Sequence, residues 1–539
     1  MTSRRITGGA DVANVGDVVI IGSGFAGSLT ALALRRLGRS VTLLERGTHP
    51  RFAIGESSTP LANLLLEEIC DRYGLSEVRP LSKWGTWQRH CPAVAGGLKR
   101  GFSFFRHDLD APFSDTDQHE RQLLVAASPH DAIADTHWYR PDFDHFLVQQ
   151  AVAAGVDYRD EVDVTSLRLD RGHAVLEGHR REDAFRLQAR FVIDASGPRG
   201  CLHRALGLGD RPLQWLPSTQ GLFTHFTRVE RWDHTVTVDA QRTPHFPVDD
   251  AALHHVFPGG WIWVLRFNNG ITSAGAALTD ALAASIDIGR EGAWDRLLER
   301  LPSIAAQFRA ARPTRSFIHT RRVAFRSAAI VGPNWALLPS AAGVIDPLLS
   351  TGFPLTLLGV QRLLRVLELD RWDGAAFGAA LSDYAERTDR ELDATEQLVA
   401  ALYSSMSDFE QFKRLTLLYF AAASFSETAR RLGMPHKAQG FLMTDDPVFG
   451  PEMRACTALA LSSPRGSDRL ALFDRIDRAI APIDVAGLTD RTRRDWYPVL
   501  AADLIGGASK LDATPRQIEG LLERCGFKAV ASPGTAIAS

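Results

Sequence analysis

The stretch DVVIIGSGFAG, residues 17–27, decides the fold class of this 539-residue chain. Its first five residues form a short, β-branched apolar run, which predicts a buried strand. Three glycines follow the run, and the segment SLTALALRRLGRS (residues 28–40) then places apolar side chains at helical spacing. A second apolar run, Val41–Leu44, ends at Glu45. A strand, a helix and a second strand in this order predict a parallel sheet and therefore an α/β fold.

The three glycines have the GxGxxG spacing of a phosphate-binding turn. Gly22 permits a tight turn, Gly24 lets the backbone approach a pyrophosphate, and Gly27 lets helix and strand pack closely. The helix start offers free N–H groups and a partial positive charge to phosphates. Glu45 ends the second strand, where a carboxylate can accept hydrogen bonds from both ribose hydroxyls. The predicted dinucleotide contacts are Gly22, Gly24, Phe25, Ala26, Gly27, Glu45 and Arg46.

The composition is that of an ordinary globular protein and excludes several classes. Lys and Arg number 61 against 63 Asp and Glu, so the formal net charge is −2, which argues against a nucleic-acid binder. The five cysteines are scattered without a CxxC pair, which predicts free thiols and no metal site. The sequence has no apolar run long enough for a membrane span and no apolar signal-peptide core near residue 1. We therefore expect a large cytoplasmic enzyme.

Patterning along the chain predicts three parts. Residues 1–16 are expected to form a loose leader, and residues 17–365 a discontinuous dinucleotide-binding (Rossmann-like) domain. Insertions at about 96–139 and 205–320 are expected to build an antiparallel substrate sheet, because the second alternates strongly and carries many aromatic residues. Residues 366–539 are expected to be a helical region that covers the substrate. An aromatic stripe there either lines the substrate pocket or forms plain core: Tyr403, Phe409, Phe412 and Tyr419.

Two further segments resemble those of FAD monooxygenases of the hydroxybenzoate-hydroxylase type. FVIDASG (residues 191–197) resembles their second dinucleotide-contacting segment, and SAAGVIDP (residues 340–347) resembles their GDAAH-x-x-x-P segment. Pro-Ser at 339–340 replaces the usual Gly-Asp, whereas Asp346 is retained. The resemblance implies FAD rather than NAD, with Asp346 at the ribityl chain and Arg140 near the cofactor.

Two loops narrow the resemblance to flavin-dependent halogenases. GESSTP (residues 55–60) resembles their GES-T-P segment, which implies that Ser57 lies against the flavin. PLLSTG (residues 347–352) resembles their PxxSTG loop, whose amides line the halide site. The stretch HHVF…WIWVLRFNN is most similar to that of the tetracycline-type, phenolic polyketide halogenases. The residues implied at the halide are Ser350, Thr351 and Gly352, and Gly352 is also implied at the cofactor.

Lys99 is the catalytic residue that the resemblance implies. It lies in GLKRGFSF (residues 97–104), which resembles the K-x-G-x-x-F segment of phenol and pyrrole halogenases. In that family, reduced flavin and O2 give a flavin hydroperoxide, and halide attack on it gives hypohalous acid. An ammonium can hold this oxidant by a hydrogen bond, and a neutral amine can form a haloamine. Burial would favour the neutral amine, because it lowers the pKa of a lysine.

Two tryptophans and one leucine give predictions about the substrate. Trp261 and Trp263 resemble the family's W-x-W-x-I-P, with Leu-Arg at 265–266 in place of Ile-Pro, and are implied to block the substrate from the flavin. Core packing in a strand would also explain them. Leu349 stands where tryptophan halogenases carry a glutamate, which disfavours a free indole substrate. The general base stays open among four histidines: His107, His225, His254 and His255.

These motifs together predict an FADH2- and O2-dependent halogenase that uses chloride or bromide. We expect an electron-rich aromatic substrate, phenolic or polyketide-like, either free or carrier-bound. Because no second GxGxxG introduces an NADPH domain, a separate NAD(P)H-dependent flavin reductase is expected as partner. The alternatives are an FAD-dependent aromatic monooxygenase of the same fold, which would consume NADPH itself, and an inactive flavin-fold binding protein, which would fail to take up FAD.

Overall fold

The computed structural model describes residues 15–170, 172–235 and 243–527. The predicted leader falls almost entirely outside the described residues. The strands are, in chain order, β1 (Gly16–Ile21), β2 (Val41–Leu44), β3 (Gly96–Lys99), β4 (Gly101–Arg106), β5 (Gln122–Ala126), β6 (Asp135–Trp138), β7 (Asp157–Arg159), β8 (Val162–Asp170), β9 (His173–Arg180), β10 (Asp183–Asp194), β11 (Thr219–Thr227), β12 (Ala252–Phe257), β13 (Gly260–Arg266), β14 (Thr272–Thr279), β15 (Arg312–Pro313), β16 (Ile318–Thr320), β17 (Phe325–Arg326), β18 (Val331–Gly332), β19 (Trp335–Leu337), β20 (Gly343–Val344) and β21 (Trp496–Tyr497).

The helices separate and then follow these strands. They are α1 (Phe25–Arg36), α2 (Pro60–Tyr73), α3 (Trp84–His90), α4 (Arg140–Ala153), α5 (Cys201–Ala205), α6 (Trp232–Thr235), α7 (Asp280–Ser285), α8 (Ala293–Glu299), α9 (Pro302–Phe308), α10 (Pro339–Ala342), α11 (Gly352–Leu367), α12 (Ala375–Ser404), α13 (Phe409–Arg431), α14 (Phe449–Leu461), α15 (Gly466–Ile480), α16 (Ala501–Gly506) and α17 (Pro515–Arg524), with short 3-10 turns at Arg79–Ser82, Asp131–Ile133, Leu348–Ser350, Pro435–Lys437, Phe441–Met443, Arg491–Arg493 and Ala508–Leu511.

The first sheet is the predicted α/β core. Its strand order is β18-β19-β10-β1-β2-β7, and β1 pairs in parallel with both β2 and β10. The apolar run of β1 is buried on both faces, with Ile20 fully buried, as a central parallel strand requires. Because these strands are parallel, Ile21, Leu44 and Asp194 end at the same edge of the sheet. Ligands bind in the crevice beyond this edge in open α/β sheets.

The second sheet is built from the two predicted insertions and one later strand. Its order is β15-β11-β14-β13-β12-β4-β5-β21, and β16 pairs with β11 as the ninth strand. Most neighbours are antiparallel, as expected. The pairs β12–β4 and β5–β21 are parallel, and both join segments distant in the sequence, since a parallel pair needs a long crossover connection. β21 comes from the region predicted to be helical. A strand of two residues is too short to show a periodic pattern in the sequence.

The helical region packs on the first sheet rather than apart from it. The apolar side chains of α11, α12 and α13 belong to the same buried cluster as those of β1, β2 and β10. A second cluster lies on the other face of the nine-stranded sheet, beneath α7, α8 and α9. Within the described ranges, the helices lack the length and apolar character needed to cross a bilayer.

Candidate active site

The turn after β1 leaves no space for side chains at two of its glycines. Gly22 has a φ of +101°, and a Cβ there would lie 2.6 Å from the carbonyl oxygen of Ala195. A Cβ on Gly27 would lie 2.0 Å from the carbonyl oxygen of Gly22. Gly24 precedes α1 and would place a Cβ 3.3 Å from Nη2 of Arg140. The backbone is therefore bare where α1 presents its free N–H groups.

A cavity of about 410 Å³ lies beyond the carboxyl ends of β1 and β2, lined in part by Gly22, Glu45 and Arg46. The Glu45 carboxylate accepts hydrogen bonds from the backbone N–H groups of Ser23 (3.0 Å) and Gly47 (3.0 Å) and pairs with Arg51 at 3.1 Å. Burial raises the pKa of Glu45, but Arg51 and these N–H groups more than offset it, so the net shift is downward. The carboxylate is thus ionised and fixed where a ribose would lie.

A second cavity, of about 480 Å³, continues from the first. Arg51, Ala195, Ser196 and Pro198 line both, so together they form one elongated site. A long site with an acidic group at one end and a helix N-terminus in the middle fits a dinucleotide such as FAD. The structure brings eleven predicted residues to this second cavity: Gly24, Phe25, Ala26, Ser57, Arg140, Trp261, Trp263, Asp346, Ser350, Thr351 and Gly352. Gly27 lines neither cavity.

Arg140 begins α4 and is held on two sides. Its Nε and Nη2 atoms donate to the two oxygens of Asp144 at 2.8 and 2.7 Å. Its Nη1 atom donates to the carbonyls of Ile54 and Gly55, at 3.2 and 2.9 Å. The guanidinium therefore ties the GESSTP loop to α4. Only 7% of Arg140 is exposed, at the wall of the second cavity.

Asp346 closes the second cavity and is held by a buried hydrogen-bond chain. Its Oδ1 accepts from the N–H of Leu348 at 3.0 Å, and its Oδ2 accepts from the hydroxyl of Tyr403 at 2.9 Å. Trp261 Nε1 donates to that same hydroxyl at 3.2 Å. These donors lower the pKa of Asp346, but burial raises it by more, and the net value is about 7. Tyr403 is therefore a hydrogen-bond partner of Asp346 as well as a member of the buried core.

The PLLSTG loop has an unusual backbone. Leu349 and Ser350 are in the left-handed region, with φ of 63° and 55°, and Thr351 returns to right-handed values before α11 begins at Gly352. Alternation of left- and right-handed residues turns successive N–H groups to one side, as in an anion nest. A Cβ on Gly352 would meet no heavy atom within 4 Å, so the space beside it is open.

The two tryptophans of β13 form one wall of the second cavity. Trp261 and Trp263 are two residues apart on a strand, so both face the same side, with ring centroids 5.6 Å apart. Gly275 on β14 leaves room for the Trp263 ring, since a Cβ there would lie 2.4 Å from it. Both rings are buried and also line the cavity, so they pack in the core of the sheet and form part of the cavity wall.

Lys99 is fully buried and lies between the second cavity and a third one. Its Nζ donates to Ser57 Oγ at 3.0 Å and to the carbonyl of Ser58, on the side of the second cavity. It also sits 3.8 Å from the ring centroid of Phe102, which lines the third cavity. Burial lowers the pKa of Lys99 to about 7, although Asp135 opposes the shift. A neutral amine is therefore accessible near neutral pH.

The third cavity, of about 170 Å³, lies between β4 and β5 on one side and the helical region on the other. Tyr419 and Phe420 of α13 and Leu521 of α17 line it, which places the helical region over it. Asp135 also lines it, and burial raises the pKa of Asp135 to about 7. The sequence carries no local signal for Asp135, because its proximity to Lys99 arises from strand pairing across 36 residues.

Of the four candidate histidines, only His254 lines one of the three cavities. His107 Nε2 and His255 Nδ1 are 3.0 Å apart, His255 Nε2 is 3.0 Å from Gln307 Oε1, and neither ring lines the three cavities. His225 Nε2 lies 2.8 Å from Glu56 Oε1, a buried contact that the sequence did not indicate. His254 lines the second cavity, and burial lowers its pKa to about 3.

Comparison with known proteins identifies the family. A profile described as tryptophan halogenase matches residues 132–412, and an FAD-binding-domain profile matches residues 17–221. The chain is 33% identical over 414 residues to the monodechloroaminopyrrolnitrin halogenase PrnC of Pseudomonas fluorescens, covering 74% of this chain and 70% of that protein. The chain belongs to the flavin-dependent halogenase family.

Two other flavin-dependent halogenases are also similar. The chain is 30% identical over 420 residues to tetracycline 7-halogenase of Kitasatospora aureofaciens, covering 76% of this chain and 73% of that protein. The crystal structure of the halogenase PltM with phloroglucinol and FAD aligns with a TM-score of 0.79 at 26% identity, covering 89% and 99% of the two chains. The expectations of an α/β FAD-binding fold, an FAD-dependent enzyme and halogenation of an aromatic substrate are confirmed. The hydroxylase and binding-protein alternatives find no support.

Proposed function

We propose that this halogenase uses Lys99 to pass an electrophilic halogen from the flavin site to a small phenolic or similar electron-rich ring in the third cavity. The observation that supports this most directly is the position of the Lys99 amine. It contacts Ser57 on the wall of the second cavity and the Phe102 ring on the wall of the third. Bound reduced FAD, with O2, supplies the oxidising power that converts halide to hypohalous acid.

The chain's own residues would then position each reactant. The amides of Thr351 and Gly352 hold the halide, and Asp346 and Arg140 hold the cofactor. Trp261 and Trp263 keep the ring away from it. The neutral Lys99 amine takes up the halogen, and its surroundings exclude the water that would consume hypohalous acid.

The size of the third cavity supports a small substrate. A cavity of about 150 Å³ is enough to hold benzene, and this one measures about 170 Å³. One aromatic ring with substituents therefore fits, whereas a fused polyketide would require the covering helices to move. We accordingly propose a small phenolic ring rather than the polyketide-like substrate, with residues 366–539 acting as the cover.

The test compares Lys99→Met with Lys437→Met. Lys437 is a matched control, because its amine pairs with Asp512 at the surface. Each protein receives FADH2, O2, bromide and a panel of phenols and pyrroles. We expect Lys99→Met to lose about 100-fold or more of the brominated product while FAD binding is unchanged, and Lys437→Met to match the wild type. Full activity of Lys99→Met would contradict the proposal.

The source of reduced cofactor has its own test. We propose that a separate NAD(P)H-dependent flavin reductase supplies FADH2, as the absence of a second GxGxxG motif from the sequence suggests. NADPH alone should then give no product, and addition of any flavin reductase should restore it.

A further inference from the structure

One of the charged side chains at the wall of the third cavity differs from the others in its pairing. Lys83, Glu427, Arg431 and Asp135 are the charged residues at its wall. Lys83 pairs with Glu67 at 3.5 Å, and Arg431 pairs with Glu427 at 2.7 Å. Asp135 has no ion-pair partner within 4 Å in the described parts of the chain, although only 6% of it is exposed.

Strand pairing places Asp135 beside Lys99. The two residues are directly opposite in the antiparallel pair of β3 and β6, so their side chains lie on the same face, with Cβ atoms about 5 Å apart. Asn63 of α2 donates from Nδ2 to Oδ1 of Asp135 at 3.0 Å and fixes the carboxyl group. Its other oxygen, Oδ2, is buried and has no hydrogen-bond partner among the described residues. A buried acceptor left unsatisfied is costly, so a ligand donor would stabilise it.

We propose that Asp135 is the proton acceptor of the halogenation and that it selects neutral aromatic rings that carry an O–H or N–H group. This inference rests on the proposed function of Lys99. Oδ2 accepts the hydrogen bond of the substrate's O–H or N–H group. The ring carbons that this group activates then lie on the side of Lys99, its cross-strand neighbour.

The proton and electron balance is simple for a phenol. Lys99 carries the halogen as a protonated haloamine. A ring carbon uses a π pair to bond the halogen, and the bond from halogen to the Lys99 nitrogen breaks with its pair staying on nitrogen, which releases the neutral amine. The O–H proton passes to Oδ2 of Asp135, which leaves a neutral halogenated dienone. Loss of the ring C–H proton to the lysine nitrogen restores the aromatic ring, and Asp135 returns its proton to the phenol oxygen. The net change is replacement of one ring hydrogen by halogen.

Other groups near Lys99 are less suited to this role. His137 and His254 interact electrostatically with Lys99, but burial lowers the pKa of both and neither lines the third cavity. Glu427 is engaged by Arg431. Burial raises the pKa of Asp135, while Lys99 lowers it, Glu427 raises it and Asn63 lowers it, with a net value of about 7. A base with a pKa near the working pH is the effective kind.

The experiment uses phenols of graded acidity. A phenol that the wild-type enzyme halogenates is compared with its ring-fluorinated analogues, the most acidic of which are already ionised at the assay pH. For Asp135→Asn we expect kcat to fall about 100-fold or more on the un-ionised phenol and less than about threefold on the ionised one. Asp383→Asn, at an exposed position on α12, should behave as wild type on both.

The outcomes separate the two proposals. Equal losses of kcat on ionised and un-ionised phenols, or no loss on either, would overturn the role of Asp135. The proposed role of Lys99 would be unaffected. If the wild type halogenates no phenol or pyrrole, the proposed function fails and this inference with it. Asn63→Leu keeps the carboxylate but removes its orienting donor. For this variant we expect a smaller loss of kcat, again confined to the un-ionised phenol. If Asp135→Asn does not fold, Asn63→Leu tests the role of Asp135 instead.

Discussion

At the scale of single residues, burial changes the chemistry of several side chains. Lys99, Asp135 and Asp346 are all buried, and each has a pKa of about 7 because burial disfavours its charged form. Glu45 is also buried, yet its pKa is lowered, because Arg51 and backbone N–H groups stabilise the carboxylate. At Lys99, Asp135 and Asp346 the effect of burial therefore outweighs that of neighbouring charges and donors, whereas at Glu45 the neighbouring charge and donors outweigh burial.

Glu45→Gln tests the ligand-holding role. The substitution keeps the size of the side chain but removes its charge, so its contacts with Ser23, Gly47 and a ribose weaken and Arg51 loses its partner. We expect FAD affinity to fall about tenfold, the loss of one or two charge-assisted hydrogen bonds, measured by titration of flavin fluorescence. Glu386→Gln, at an exposed position on α12, is the control. Equal affinity in the two variants would show that Glu45 does not contact the cofactor.

At the scale of elements, one hydrogen-bond chain joins three segments around the second cavity. Trp261 on β13 donates to Tyr403 on α12, which donates to Asp346 in the loop before α11. The chain aligns the tryptophan wall, the covering helix and the PLLSTG loop. A local change at Asp346 should therefore affect the stability of all three.

The stability of the FAD-free protein should report the titration of Asp346. Its folded-state pKa of about 7 exceeds the ordinary 3.8, so the folded state binds more protons between these values. The free energy of unfolding contributed by Asp346 therefore falls as pH rises through this window. The free energy of unfolding of Asp346→Asn, taken relative to wild type, should rise by about 2 kcal/mol between about pH 5 and pH 7. Urea unfolding at a series of pH values would measure it. Asp383→Asn should show no such trend, and a flat difference for Asp346→Asn would contradict the prediction.

At the scale of the whole molecule, a buried charge cluster fastens the helical region to the FAD-binding part. Arg326 on β17 is 2% exposed and contacts Asp389, Asp393 and Glu396, all on α12. Glu396 also accepts backbone hydrogen bonds from residues 214–216. The helical region that lies over the third cavity is thus anchored by charged residues that do not line that cavity.

Arg326→Met should destabilise the fold strongly. Loss of Arg326 leaves the buried Glu396 without a cationic partner among the described residues, while Asp389 and Asp393 keep Arg211, and breaking a buried ion pair in this way costs about 3–5 kcal/mol. Arg387→Met is the control, because its pairs with Asp383 and Asp445 are partly exposed to solvent and exposed pairs contribute at most about 1 kcal/mol each. Thermal unfolding followed by circular dichroism would measure both. Similar melting temperatures for the two variants would mean that the cluster does not anchor the cover.

The sequence by itself determined the α/β class, the glycine turn and the family. These features depend on local periodicity and on backbone positions that tolerate no side chain, and both are visible in a short stretch such as residues 17–27. The PLLSTG and GESSTP segments are equally local, which is why the cofactor cavity contains most of the residues predicted for it.

Only the tertiary structure decided how these segments meet. The Lys99–Asp135 pair depends on strand register, the His225–Glu56 contact joins residues 169 positions apart, and β21 joins a sheet that begins hundreds of residues earlier. The raised and lowered pKa values are likewise consequences of burial. A local pattern does not carry this information, because long-range pairing and desolvation depend on the whole packed chain.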